Sequence, residues 1–375
     1  MCSRVTRKNS TPETADNVLL GEAKSMSETM LAAMKTEPAA GAEIKEVSIP
    51  SPKPDEVLIK IKAASICGTD KHIYSWDEWA QKRIKTPMIF GHECCGEVVE
   101  IGANVESIEI GDLISAETHI PCCHCYMCRT GNMHLCQNLS ILGVDIDGIF
   151  AEYAVIPEIC CWKNDPGMKP EYACVQEPFG NAVYTVMESD VSAKKIAIVG
   201  DGPIAAFACG IARAVGAAKI YNLGMSQYNL DICLKMGADV SIDVVNDKDY
   251  RARIIEETHG GVDVVLDMAG NSAAVGDGFA ILRKMGTFTA FGIAPAPFDF
   301  DMAENVVFKG AKIIGINGRK MFDTWYQAKN LLDNKKVDIS PVITHTFKFK
   351  NFEKAIETAV SPDIDAGKVV LTPMS

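Results

Sequence analysis

The stretch Lys195-Ile-Ala-Ile-Val-Gly-Asp-Gly-Pro-Ile-Ala205 reads as a short apolar strand that runs into a glycine turn and then into an Ala-rich helix. A strand, a tight glycine turn and a helix start together aim backbone N–H groups at a pyrophosphate, so a dinucleotide is the expected ligand. Gly200, Gly202 and Pro203 are its expected contacts, and Ala205 takes the third glycine's place as a small residue that still permits helix–sheet packing. Strand-like runs at Lys219–Leu223, Val264–Met268, Thr287–Phe291 and Lys312–Ile316 follow, each separated from the next by a helical stretch. This alternation predicts an α/β fold with a doubly wound parallel sheet, covered on both faces, over residues 189–317.

Upstream the pattern changes. From Met30 to about Ala116 the chain shows short apolar or alternating runs with turn punctuation, at Val57–Ala64, Gly96–Ile101 and Asp112–Ala116, which predicts a β-rich domain over 29–188. After Gly318 come a helical pattern (Phe322–Leu332), a strand-like run (Ile343–Phe349), another helix and a last strand, Lys368–Leu371. A lone strand needs a sheet to join, so 318–375 is expected to return and complete the first domain. Residues 1–28 are polar and aperiodic. Arg4, Arg7 and Lys8 are diluted by Glu13, Asp16 and Glu22, and a flexible tail is expected there instead of a targeting peptide.

The bulk numbers narrow the function classes. With 375 residues, 47% of them apolar, the chain can bury a core for two domains. A formal charge of −12 and the lack of a basic stripe argue against a nucleic-acid partner. No apolar run reaches the twenty or so residues that span a bilayer, so no membrane partner is expected. Fourteen cysteines dispersed over an enzyme-sized chain with no signal peptide suit thiolate metal sites in a reducing, cytoplasmic setting better than a disulfide scaffold.

Four of those cysteines are clustered. Cys122, Cys125, Cys128 and Cys136 stand at C-x2-C-x2-C-x7-C, a spacing that can close a thiolate tetrahedron around a structural zinc. A disulfide knot and an iron–sulfur cluster are the rivals, disfavoured by the compartment and by the final spacing. Cys123 has no assigned partner. Earlier in the chain, Ser65-Ile-Cys67-Gly-Thr69-Asp-Lys-His72 and Phe90-Gly-His92-Glu93 supply a thiolate, an imidazole and a carboxylate, with Glu177 in Gln176-Glu-Pro-Phe-Gly-Asn-Ala182 as a further carboxylate. Such a set holds a second, catalytic zinc with an open position, as Lewis-acid activation of an alcohol requires. The hydroxyl proton must also leave a closed site, and Thr69 and His72 suit that relay.

The end of the second strand is unusual. NAD sites place an acidic residue there to bind the ribose hydroxyls. Here the chain reads Tyr221-Asn-Leu-Gly224-Met-Ser226-Gln-Tyr-Asn229, in which Gly224 offers neither a side chain nor a charge. Ser226, Gln227 and Asn229 are candidate donors to a 2′-phosphate, although no Arg or Lys stands near them in sequence. The reading leans narrowly to NADP over NAD, with relaxed specificity as the alternative.

Together these motifs resemble the zinc-containing medium-chain alcohol dehydrogenases, from about Met30 onward. Three phrases are most like the L-threonine 3-dehydrogenase branch: Ile66-Cys-Gly-Thr-Asp-Lys-His-Ile-Tyr-Ser-Trp-Asp-Glu-Trp-Ala-Gln81, Glu177-Pro-Phe-Gly-Asn-Ala-Val183 and Gly318-Arg-Lys-Met-Phe-Asp-Thr-Trp-Tyr326. The resemblance implies a GroES-like catalytic domain beside the Rossmann domain, two zinc ions per subunit, a homotetramer and a small alcohol substrate. That substrate is L-threonine or a related amino alcohol, oxidised with NAD(P). It implies Cys67, His92 and Glu93 at the catalytic zinc with Glu177 beside it, and cofactor contacts at Ile204, Gly224, Asn229, Phe291, Gly292, Ile293, Ile316 and Asn317. His119 matches a position lining the substrate pocket. Gly224 and Asn229 depart from the family pattern, where an Asp and an Arg stand. The alternatives are an NADP-dependent polyol or diol dehydrogenase and, more remotely, a non-catalytic NADP(H)-binding redox sensor.

Overall fold

A computed structural model describes residues 28–361 and 363–373. The expected N-terminal tail lies outside these residues, except for its last position.

The apolar run at Lys195–Val199 forms the first strand of a six-stranded, all-parallel sheet. Across this sheet the strands lie in the order Val240–Asp243, Lys219–Gly224, Lys195–Val199, Val262–Asp267, Leu282–Ala290, Lys312–Gly315. Numbered from the first strand the order is 3-2-1-4-5-6, so the topological switch falls between Lys195–Val199 and Val262–Asp267, where doubly wound sheets bind ligands. The strand at Val240–Asp243 was not foreseen from sequence; it has four residues and only Ile242 is buried, which is too short for an alternation to show. The helix Pro203–Ala214 is buried along most of its length and packs its Ala-rich surface and Phe207 on the sheet.

The β-rich part is built on the strand Glu56–Ser65, which pairs with Glu93–Ile101 on one side. Its other edge is shared by Tyr153–Pro157, opposite Glu56–Lys60, and by Lys368–Thr372, opposite Ala64 and Ser65. Ile343–Lys348 then pairs in parallel with Lys368–Thr372, so segments nearly 300 residues apart in sequence share one sheet. A separate three-stranded sheet holds Glu43–Ser48, Thr29–Lys35 and Met88–Ile89. Phe90, Phe150 and Phe352 meet edge-on beneath the main sheet, with ring centroids 5.2–5.8 Å apart.

Two short helices, Gly68–Ser75 and Glu78–Arg83, interrupt this β-rich stretch and were not anticipated. The helix Gln176–Glu188 joins the two halves. Its buried face, including Phe179 and Val183, lies in an apolar cluster with Ala63, Cys95 and Val370 of one sheet and Ile196, Ile198 and Val264 of the other. Among the described residues no helix is long and apolar enough to cross a membrane.

Candidate active site

Three of the expected metal donors converge. A Cys67 sulfur, a His92 ring nitrogen and a Glu93 carboxylate oxygen all lie within 4.8 Å of one another. Local structure explains the convergence. Cys67 is the N-cap of the helix Gly68–Ser75, where its amide donates to Asp70 Oδ2 at 2.8 Å and so fixes the turn. His92 follows Phe90, which is anchored in the aromatic core, and Gly91, whose φ of +90° turns the chain. A Cβ at Gly91 would lie 2.6 Å from the Phe150 ring, so both the conformation and the packing demand glycine here. Glu93 then opens the strand Glu93–Ile101.

The surroundings suit a cation. His92 Nδ1 and Asp70 Oδ1 are buried without hydrogen-bond partners and face each other at 3.6 Å. A carboxylate behind a ring nitrogen orients a metal-binding imidazole and leaves Nε2 available to the metal. Burial pushes Asp70 up to about 6 even though His92 pulls the other way. Burial opposes a charge on His92, yet Asp70 and Cys67 prevail and raise it to about 10, so the spot attracts positive charge. These residues fit a zinc ion.

Sequence reading missed Asp70 and also Lys368. Lys368 Nζ bonds both oxygens of Glu93, at 2.5 Å for Oε1, and Ser65 Oγ donates to Oε2. Burial alone would raise the Glu93 carboxyl, but Lys368 and His92 hold it below the usual range. Glu177 stands outside the three-donor group. Its Oε1 accepts from Arg319 Nη1 and, at 3.3 Å, from Thr118 Oγ1.

Arg319 organises a second buried cluster. Its Nε donates to Glu117 Oε2 at 2.9 Å and its Nη2 to Glu117 Oε1, while Nη1 also reaches Asn181 Oδ1 at 2.9 Å. Trp325 Nε1 donates to Glu117 Oε2 at 2.7 Å, and His119 Nδ1 lies 3.1 Å from Arg319 Nη2. Burial would raise Glu117, but the guanidinium beside it holds its carboxyl far below the ordinary value. The phrase Gly318-Arg-Lys carried the signal for Arg319, although nothing local in it pointed to Glu117.

The relay candidates share one helix. Thr69 Oγ1 is 3.9 Å from Cys67 Sγ, and the exposed His72 pairs through Nδ1 with Asp77 at 2.5 Å. Cys94 and Cys95, next to Glu93, are fully buried; burial pushes Cys94 up to about 12, and Cys95 higher still, which keeps both as unreactive packing thiols.

The four clustered cysteines also come together, all of them unbridged. Sulfur–sulfur distances of 3.5 Å (Cys125–Cys128) and 3.8 Å (Cys125–Cys136) match the edge of about 3.8 Å expected for a tetrahedron with zinc–sulfur bonds of about 2.3 Å. The backbone N–H of His124 and the Asn138 amide draw Cys122 down to about 5, whereas desolvation, Cys125 and Cys136 push Cys128 up to about 12. Sulfurs packed so closely require a cation to ionise together. Cys123 is exposed and lies outside the group.

The dinucleotide candidates line the carboxyl edge of the parallel sheet. Gly200 and Gly202 follow the first strand and lead to Pro203 and the half-buried Ile204 in the first turn of the helix. Gly224 ends the second strand, and Ser226 caps the next helix, accepting from Asn229 N at 3.4 Å. The amides of Phe291 and Gly292 donate to Asp267 O, Ile293 is 91% exposed, and Ile316 and Asn317 follow the sixth strand. All these positions sit beyond the ends of strands on one side of the sheet, where a dinucleotide binds in doubly wound folds.

Comparison with known proteins shows the family. The alcohol dehydrogenase GroES-like domain matches residues 53–166, and the zinc-binding dehydrogenase domain matches 203–334. L-threonine 3-dehydrogenase of Pyrococcus horikoshii is 46% identical over 88% of this chain and 96% of its own length. The enzyme of the same name from Caldanaerobacter subterraneus subsp. tengcongensis is 47% identical over 92% of this chain and 99% of its own. Among solved structures, a zinc-binding dehydrogenase from Sinorhizobium meliloti bound to NADP superposes with a TM-score of 0.84 at 26% identity, covering 92% of this chain and 99% of that one. The chain therefore belongs to the zinc-containing medium-chain alcohol dehydrogenases, enzymes that oxidise alcohols with zinc and NAD(P).

Proposed function

We propose that the chain oxidises the secondary hydroxyl of L-threonine to give 2-amino-3-oxobutanoate and NAD(P)H. The observation that carries this reading is the charge of the pocket. Four buried acids, Asp70, Glu93, Glu117 and Glu177, face two buried cations, Lys368 and Arg319. With the Cys67 thiolate added, a divalent metal still leaves the pocket negative, which suits an ammonium-bearing alcohol better than a neutral polyol or diol. Relatives named L-threonine 3-dehydrogenase over nearly the whole chain support the same choice.

When bound, zinc supplies Lewis acidity and NAD(P) accepts the hydride. The protein's own part is to hold and to exclude. Cys67 and His92 hold the metal, with Asp70 fixing the ring of His92. Glu93, neutralised by Lys368, and Glu177, tethered by Arg319, stand as carboxylates beside them. Thr69 and His72 carry the hydroxyl proton from the buried site toward solvent, where Asp77 steadies His72.

Initial rates on L-threonine, sorbitol and 2,3-butanediol, each with NAD and with NADP, test the proposal. The highest kcat/KM is expected on threonine; equal or better rates on the polyol or diol would overturn it. Metal analysis is expected to give two zinc ions per chain, falling to one in a Cys128→Ser variant that keeps the catalytic ion. A wild-type content of one would remove the structural zinc from the proposal. The same reading carries a homotetrameric, cytoplasmic enzyme, and light scattering checks the assembly.

A further inference from the structure

Gly224 lacks the acid that the end of the second strand normally carries, but the space around it is filled. A Cβ built on Gly224 would lie 2.4 Å from Asp201 Cβ and 2.6 Å from Asp201 Oδ2. The carboxylate of Asp201, the middle residue of the Gly-Asp-Gly turn, thus stands where a side chain at position 224 would project. Both backbone amides that follow Gly224 hold it: Met225 N and Ser226 N each donate to Asp201 Oδ2 at 2.7 Å. Its other oxygen, Oδ1, makes no hydrogen bond among the described residues.

We infer that Asp201 is the residue that binds the adenosine ribose hydroxyls and selects NAD(H) over NADP(H), taking over from the missing acid at position 224. The inference rests on the NAD(P) reading above and is independent of which alcohol is oxidised.

Three further observations support it. Asn222, fully buried, donates to Gly200 O at 2.7 Å and to Ile198 O at 3.3 Å, which ties the glycine turn to the second strand and fixes the base of Asp201. Two of the three polar side chains considered as partners for a 2′-phosphate already have partners, since Ser226 Oγ caps its helix and Gln227 Nε2 donates to Asp231 at 2.8 Å. Asp243, paired in register with Gly224 on the neighbouring strand, adds a second carboxylate at the same edge. A 2′-phosphate placed there meets two negative groups, whereas ribose hydroxyls meet a carboxylate with a free oxygen. The sequence alone leaned to NADP because it registered only the loss at 224.

The test is cofactor binding, read without substrate. Fluorescence titration of the zinc-loaded protein with NADH and NADPH is expected to show NADH bound roughly 10- to 100-fold more tightly, the range for charge-assisted hydrogen bonds made by one carboxylate. Asp201→Asn keeps the shape and an acceptor for the two amides but removes the charge. It is expected to weaken NADH about tenfold and leave NADPH equal or tighter. Moving the acid back in Asp201→Gly/Gly224→Asp, where the glycine at 201 removes the Cβ that a side chain at 224 would meet, is expected to restore the preference, and thermal melting of each variant reports folding separately. If the wild type binds NADPH as tightly as NADH, or if Asp201→Asn weakens both by the same factor, Asp201 only braces the turn and the inference falls. Binding of neither cofactor would instead sink the NAD(P) reading itself.

Discussion

Replacing Cys67 by Ser is expected to cut turnover by about 10³-fold and to strip one zinc from each chain, with the four-cysteine zinc retained. Three donors within 4.8 Å make the first site, and a serine hydroxyl is a far poorer ligand than a thiolate. A metal ion contributes several kcal/mol of charge stabilisation in the transition state, and each 1.36 kcal/mol is tenfold in rate, so the predicted loss follows. Metal analysis beside steady-state kinetics checks both parts. The fold should survive, because Cys67 is half-buried at a helix cap whose turn is fixed through its backbone amide and Asp70. Full turnover in this variant would show that the cluster is not the reactive centre.

Arg319→Met is expected to cost about 3–5 kcal/mol of stability at neutral pH, the usual result of removing one partner from a buried ion pair. The guanidinium is fully buried and serves Glu117, Glu177, Asn181 and Thr118 together. The pH dependence gives a sharper check. In the wild type the carboxyl of Glu117 titrates well below its ordinary value. Its contribution is therefore full above the unfolded pKa and fades as pH falls toward the folded one. Without Arg319, burial is opposed only by the weaker help of His119 and Trp325 and the carboxyl rises, so the variant's deficit should shrink between pH 7 and pH 5 as Glu117 takes up a proton. Urea unfolding at the two pH values measures this, and a deficit that widens on acidification would contradict the assigned role.

The fold was legible because its signals are local. The run at Lys195–Val199, the glycine turn after it and the cysteine spacing at 122–136 each fit within a short window. The partners of the site are not local. Lys368 meets Glu93 across 275 positions and Arg319 meets Glu117 across 202, and no periodicity records such pairings. Asp70 lay inside a quoted motif but shows its purpose only once His92 is placed 3.6 Å away. Asp201 is the clearest case. Residue-by-residue comparison at position 224 finds an absence, while the space around that position holds a carboxylate supplied from 23 residues earlier in the chain.

The pairing of Lys368–Thr372 with Glu56–Ser65 also sets an order of events during synthesis. The parallel sheet, drawn from residues 195–315, is contiguous and can form as soon as it leaves the ribosome. The sheet that carries the metal donors begins earlier in the chain but gains two of its strands, and the lysine that neutralises Glu93, only when residues 343–372 emerge. Translation thus delivers the cofactor-binding half first and the metal-binding half last, so a nascent chain can recognise a dinucleotide before its metal centre is complete.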